Sequence, residues 1–180
     1  MDFKTYKYTP PKETKNAAVF AGMFIFATAA LWIISGFIHN FNFRMIYRFS
    51  GLITAMTAVQ VTARFIMSGY TYILDRTGFI VVRINGKKSA QLCNITLETA
   101  LGVSEKNQKF AEIADKFGKI DVRMNFCQNL FSYKTYSYIF DFNGKKTLIK
   151  FEADENFIAE MKKRIEYAKP GGGGGSGDFW

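Results

Sequence analysis

The sequence predicts a membrane α-helical hairpin followed by a β-rich soluble domain, an antiparallel β-sandwich or half-barrel capped by a C-terminal helix. Three observations carry that expectation. Residues 17–67 are strongly apolar and hold few charges. From Tyr70 onward apolar residues alternate with a period of two, the spacing of strands. Residues 154–169 return to helical spacing with one apolar stripe. The divisions that follow are a basic N-terminal segment at 1–16, the hairpin at 17–67, the soluble domain at 68–169 and a Gly-rich flexible tail at 170–180.

The first span is residues 17–38, AAVFAGMFIFATAALWIISGFI, which carries no charge. At ~1.5 Å per residue it outlasts a ~30 Å hydrocarbon core. No small-residue cleavage site follows a short apolar core, so a signal peptide does not fit. Trp32 falls in its last two turns, where an aromatic ring suits the interface. The second span, residues 45–67, contains Arg48, Gln60 and Arg64. Both arginines lie near its ends, where long basic side chains reach the headgroups. Residues 39–44 make the short connection that an antiparallel helix pair needs. Gly51, Ala55 and Ala58 share a face of the second helix, and Ala21, Ala29, Ser35 and Gly36 offer close approach on the first. Small residues at such positions let membrane helices pack tightly. Gln60 either hydrogen-bonds across that contact or sits near an interface.

Basic residues set the expected orientation. Lys4, Lys7, Lys12 and Lys15 precede the first span, and Arg64, Arg76, Arg83, Lys87 and Lys88 follow the second. The intervening loop offers Arg44 and, at its margin, Arg48. Both termini are therefore expected in the cytoplasm.

In the soluble part, strands are expected at 71–75, 79–84, 89–97, 120–127, 136–142 and 146–152. Leu92 and Ile95 are expected to point inward, as are Ile120, Val122, Met124 and Phe126 on one face of the fourth strand. Phe110, Ile113, Ala114 and Phe117 have helical spacing, so 106–119 is a short amphipathic helix or an irregular excursion. Asp154 is a good N-cap for the last helix, whose stripe is Phe157, Ile158, Met161, Ile165 and Ala168.

One tetrapeptide occurs twice: VRINGKKSAQ at 82–91 and FDFNGKKTLI at 140–149. Asn-Gly between alternating arms is a hairpin signal. It places the pairs Lys87–Lys88 and Lys145–Lys146 at two hairpin tips. There they are candidate contacts for anionic lipid headgroups, each worth roughly 1 kcal/mol near such a surface. The plain alternative is that they keep turns and sheet edges soluble.

The stretch YTYILDRTGFIVVRINGKKSAQLCNITLETALGV resembles the opening of the bacterial PH-like domains found in small membrane proteins with two N-terminal transmembrane helices. Tyr72, Leu74, Gly78, Val81, Ile95, Leu97 and Val103 occupy that family's positions, and residues 147–167 fit its closing strand and helix. The resemblance covers most of 45–168, although the excursion at 104–119 is longer than the pattern. It implies a PH-like fold and a bacterial cell-membrane location, and no activity. It also puts Lys87–Lys88 at a hairpin like the one from which eukaryotic PH domains contact phosphoinositides.

Little in the sequence speaks for catalysis. The single histidine, His39, lies in the short loop between the spans. Cys93 and Cys127 fit neither a zinc spacing nor a CxxC motif. In a reducing compartment they stay free thiols, the alternative being a Cys93–Cys127 disulfide. Asp115, Asp121, Asp141, Asp154 and Glu155 are scattered, and the glycine run at 171–175 lacks the Lys-Ser/Thr of a phosphate loop. The expectation is a non-enzymatic, membrane-anchored adaptor or assembly scaffold at the cytoplasmic face, without cofactor or metal. Its partners would be the lipid bilayer and a second copy or another membrane protein, not nucleic acid. The alternative is a domain that contacts anionic lipid through the lysine pairs. Phe126, Phe131, Tyr133, Tyr136 and Tyr138 form either a partner patch or core.

Overall fold

The computed structural model describes residues 4–132 and 134–169, so Tyr133 and the tail expected at 170–180 lie outside the described residues. The chain divides into two compact units. One holds Pro11–Gly69 with Asn129–Phe131; the other holds the residues up to Pro10, Tyr70–Gln128 and those from Ser132 onward.

The first unit is a pair of long helices. Helix α1 spans Thr14–Phe37, and α2 spans Phe41–Val61 and continues as a π-helical segment, Thr62–Met67. The runs Thr14–Phe37 and Phe41–Met67, of 24 and 27 residues, are long and apolar enough to cross a membrane. The Asn40 side chain starts α2 by accepting from the Asn42 amide at 3.0 Å, satisfying a donor that the helix itself leaves unpaired.

Close approach of the two helices rests on small residues. Gly51 and Ala58 of α2 are buried, Ala55 is half-buried, and Ala21 and Ser35 are buried on α1. The Trp32 indole lies over Gly51, where an added Cβ would come within 2.7 Å of the ring. Gln60 is exposed and makes no part of this seam. It sits two residues beyond Ala58, about 200° further round the helix. The polar contact between the helices is made by Thr28 and Thr54, whose hydroxyls meet at 2.9 Å.

Among the described residues the second unit contains two four-stranded sheets, two α-helices and a short 3-10 turn at Leu97–Thr99. The first sheet has the order β1 (Tyr6–Tyr8), β2 (Ser68–Leu74), β3 (Gly78–Asn85), β4 (Lys88–Thr96). In the second sheet the chain order is β5 (Ala100–Val103), β6 (Val122–Asn125), β7 (Thr135–Phe142), β8 (Lys145–Glu152), and the spatial order is β5-β7-β8-β6. Helix α3 covers Phe110–Phe117 and α4 covers Glu155–Ala168.

The main core is aromatic. Tyr72, Phe79, Tyr138, Phe151 and Phe157 are fully buried. Their rings meet at an angle, with Phe79–Phe151 centroids 5.2 Å apart and Tyr72–Phe151 centroids 5.4 Å apart. Phe157, Ile158, Met161 and Ile165 of α4 belong to this cluster. Truncating Phe157 to alanine would cost about 3–5 kcal/mol. The α4 N-cap forms as expected, Asp154 accepting from the Phe157 amide at 2.7 Å.

A second, smaller core explains the excursion at 104–119. Ile113 of α3 packs with Ile120, Ile139 and Leu148, with Phe110 and Phe117 at its margin. Ile139 and Leu148 alternate along their strands with residues of the main core, so α3 covers the other face of the second sheet. Residues 135–140 of β7 are consequently buried without a break.

Four expectations are corrected. The sheets are not purely antiparallel: β6 pairs with β8 in parallel, Val122 opposite Thr147 through Asn125 opposite Lys150. Strands β6, β7 and β8 alternate in direction, and β5 already occupies the other side of β7. β6 therefore takes the free side of β8 and runs the same way. Val122 and Met124 are exposed on that outer strand rather than inward. Leu92 is also exposed, because β4 carries a bulge there: Val81 pairs with Cys93 and Val82 with Gln91. The extra residue inverts the alternation, so Cys93 is half-buried and Ile95 buried.

Residues 6–8, within the basic N-terminal segment expected at 1–16, form β1, with Tyr6 opposite Leu74 and Tyr8 opposite Tyr72. Arg164 of α4 secures this end of the sheet. It is buried, and its guanidinium donates to Lys4 O at 2.7 Å, Leu74 O at 2.9 Å, Asp75 O at 3.0 Å and Glu160 Oε1 at 2.7 Å. Its charge is thereby balanced and its donors are used, as burial of a guanidinium requires.

Candidate functional site

Both NGKK repeats are hairpins, but the four residues are used differently. In the first, Asn85 pairs with Lys88, so the loop is Gly86–Lys87. Gly86 has φ +60°, and neither Asn85 nor Lys87 has a positive φ, the pattern of a type II′ turn. In the second, Phe142 pairs with Lys145, so the loop is Asn143–Gly144. Their φ values of 53° and 75° are those of a type I′ turn. The Asp141 carboxylate accepts from the Gly144 amide at 2.8 Å and closes it.

The lysines accordingly differ in place. Lys87 is at a turn tip, Lys88 opens β4 and Lys145 opens β8; all three are exposed. Lys146 is half-buried. Its ammonium donates to Phe117 O at 2.7 Å, at the C-terminus of α3, where a cation suits the dipole. Its amide donates to Asp121 Oδ2 at 3.1 Å. Gly118, with φ +81°, ends α3 and leaves room beside that ammonium: an added Cβ would lie 3.0 Å from it. The second lysine pair is therefore divided between solvent and the fold.

A groove of about 340 Å³ runs beside α4, lined by Glu105, Lys106, Tyr136, Glu155, Ile158 and Lys162 among others. Lys106 and Glu155 face each other there at 3.8 Å. The adjoining backbone of β7 is already satisfied. Ser104 N donates to Ser137 O at 2.8 Å, Asn107 N to Thr135 O at 2.7 Å, and the Ser104 and Asn107 side chains accept from the Ser137 and Thr135 amides at 2.7 Å and 2.9 Å. An incoming strand finds no ladder at this place.

The longest terminal strand among the described residues is elsewhere. β4 has nine residues, is a terminal strand of its sheet, and exposes Lys88 through Leu92 without interruption. Its bulge and Lys88 at its start are devices that limit indiscriminate pairing. In the helix pair a separate apolar groove of about 520 Å³ is lined by Ile25, Thr28, Ala29, Ala55, Ala58 and Val59 among others.

Among the described residues no three His, Cys, Asp or Glu side chains come together to hold a metal ion. Cys93 and Cys127 are thiols and form no disulfide. Burial pushes the Cys93 thiol above its ordinary value, away from the thiolate form that reacts. Burial also raises the Tyr8 and Tyr136 phenols, with Asp154 adding to the shift of Tyr8 and Glu155 to that of Tyr136. Of the aromatic cluster noted in the sequence, Tyr136 and Tyr138 are core, Phe126 is half-buried and Phe131 is exposed. No protein-family profile, curated protein or solved structure matches the chain.

Proposed function

We propose that this chain is a membrane-anchored, non-enzymatic protein whose PH-like domain serves as an adaptor or assembly scaffold at the cytoplasmic face of a bacterial cell membrane. The observation that carries this reading is β4: nine residues, outermost in its sheet, with a half of nearly continuous exposure and an outward Leu92. Strand edges of this kind accept a further strand through main-chain hydrogen bonds. The anchoring part rests on the two long apolar helices. Strand β1 precedes them and pairs with β2, which follows them. That pairing favours an even number of crossings, with the N-terminal segment and the sheet unit on one side of the bilayer and His39 on the other. The lysine distribution favours the cytoplasm for that side.

Photocrosslinking in native membranes tests the reading. A crosslinker at Leu92 is expected to give one discrete adduct, with a second copy or another membrane protein. A Phe142 position serves as the comparison. Adducts at Phe142 with none at Leu92 would sink the edge as the interface.

A second reading has its own observation. Lys87, Lys88 and Lys145 are exposed beside turns and are free of the structural duty that Lys146 performs. If they contact anionic lipid, the full chain should shift its headgroup preference when they are replaced together. The three together would supply roughly 3 kcal/mol at low salt, less at physiological salt.

A further inference from the structure

Residues 129–131 lie within the connection between β6 and β7, yet they belong to the helical unit. The Asn129 carbonyl oxygen accepts from the Glu13 amide at 2.7 Å, directly before α1 begins. Its amide nitrogen donates to Pro11 O at 3.0 Å. These two bonds pin the loop to the start of the helix. Two residues on, the Phe131 ring meets Phe20 of α1 edge-on, with centroids 5.5 Å apart. Phe131 nevertheless remains 48% exposed, although it is large and apolar.

The depth of that contact is informative. Phe20 lies three residues into the uncharged run that begins at Ala17, about 5 Å along the helix. Apolar side chains that lie in a bilayer interface reach about 5–10 Å into the headgroup and acyl boundary. Lys12 and Lys15 stand on the water side of Phe20, and Lys12 donates to Ile66 O at 2.6 Å, tying the beginning of α1 to the end of the α2 run. The order is thus basic residues, then an exposed aromatic, then hydrocarbon. That is the sequence of environments across a membrane interface.

We infer that the loop Asn129–Phe131 is a third membrane contact, in which Leu130 and Phe131 enter the lipid interface beside the first turns of α1. The inference rests on the membrane-spanning reading of the helices. Its occupant is lipid, because the patch is continuous with the lipid-facing surface of α1 at that level. A peptide partner would have to compete with acyl chains there.

Nitroxide labels on the full chain in liposomes test it, in a Cys93→Ser, Cys127→Ala background. Labels are placed by Phe131→Cys and, separately, Leu130→Cys. Phe26→Cys, on exposed α1, is the reference for the helix itself, and Lys145→Cys is the reference for water. Collision with oxygen, which concentrates in hydrocarbon, is compared with collision with a water-soluble nickel chelate. The expected ratio at 131 and 130 lies between the two references, shifted well away from Lys145→Cys. Ratios equal to that at Lys145→Cys, with the label at Phe26→Cys in lipid, would overturn the loop contact and leave the spanning helices intact. A watery label at Phe26→Cys would overturn the spanning reading and the loop contact with it.

Discussion

The two NGKK hairpins hold the same four residues and do different things with them. In the first, the glycine leads the loop and asparagine remains in the strand. In the second, asparagine and glycine form the loop and both lysines enter β8. The shift of one residue comes from the arms. Buried faces of β7 and β8 lock their register against two cores, whereas β4 absorbs a bulge at Leu92 and meets one core only. Turn chemistry proposes a reversal, and strand packing decides which residues occupy it.

Replacing Lys146 should have the largest effect of any change within the repeats. Lys146→Ala removes a charged donor from Phe117 O and should lower stability by about 2 kcal/mol. Lys87→Ala, its counterpart in neither burial nor bonding, should stay within about 0.5 kcal/mol. Urea unfolding of the full chain in detergent, followed by tyrosine absorbance, measures both. Equal losses would mean that the ammonium at α3 contributes nothing.

Alanine at the loop glycines comes next. Gly86→Ala and Gly144→Ala meet open space, so their cost is backbone conformation alone, about 1–2 kcal/mol each. The asparagines sharpen the contrast. Asn143→Ala forces alanine to φ near 53° and should cost about 1 kcal/mol, while Asn85→Ala sits in an extended strand and should be nearly silent. Similar unfolding midpoints for the two asparagine variants would dissolve the distinction between the turns. The smallest effect on stability is expected for the triple change of Lys87, Lys88 and Lys145 to Ala, within about 0.5 kcal/mol. Salt-dependent preference for anionic vesicles, compared before and after that change, is the readout that separates surface lysines from lipid contacts.

Much of the architecture was legible because its signals are long. The two apolar runs, the five longer strands and the α4 stripe each span enough residues for a period to show, and the four-residue β6 was read only because the alternation runs past both its ends, from Ile120 to Cys127. β1 and β5, at three and four residues, are too short for one. β7 was read as a strand at 136–142, but that both of its faces would be buried was not evident from its own residues. The helical spacing at Phe110, Ile113 and Phe117 announced α3, but nothing local said that it would cover a second sheet face. A bulge inverts parity without changing composition, so Leu92 was expected on the wrong side. The candidate lysines were legible as hairpin residues, since Asn-Gly is a strong local signal. The role of Lys146 was not, because its partner is 29 residues away. Arg164 had left a trace: it adjoins Ile165 on the face that Met161 and Ala168 define, an unusual place for a guanidinium unless carbonyls await it.

The clasp between Arg164 and the Lys4 carbonyl joins residues 160 apart in sequence. Synthesis runs from the N-terminus, so β1 emerges first and waits longest. Its strand partner appears only after both apolar helices have left the ribosome, and its clasp only when α4 is complete. Until β2 appears Tyr6 and Tyr8 have no sheet to join, and until Arg164 appears nothing clasps them to it. Closure of the domain is therefore a late event in biosynthesis, timed after the helices have been handed to their own environment, and a chain arrested before Arg164 should leave its first strand open to protease.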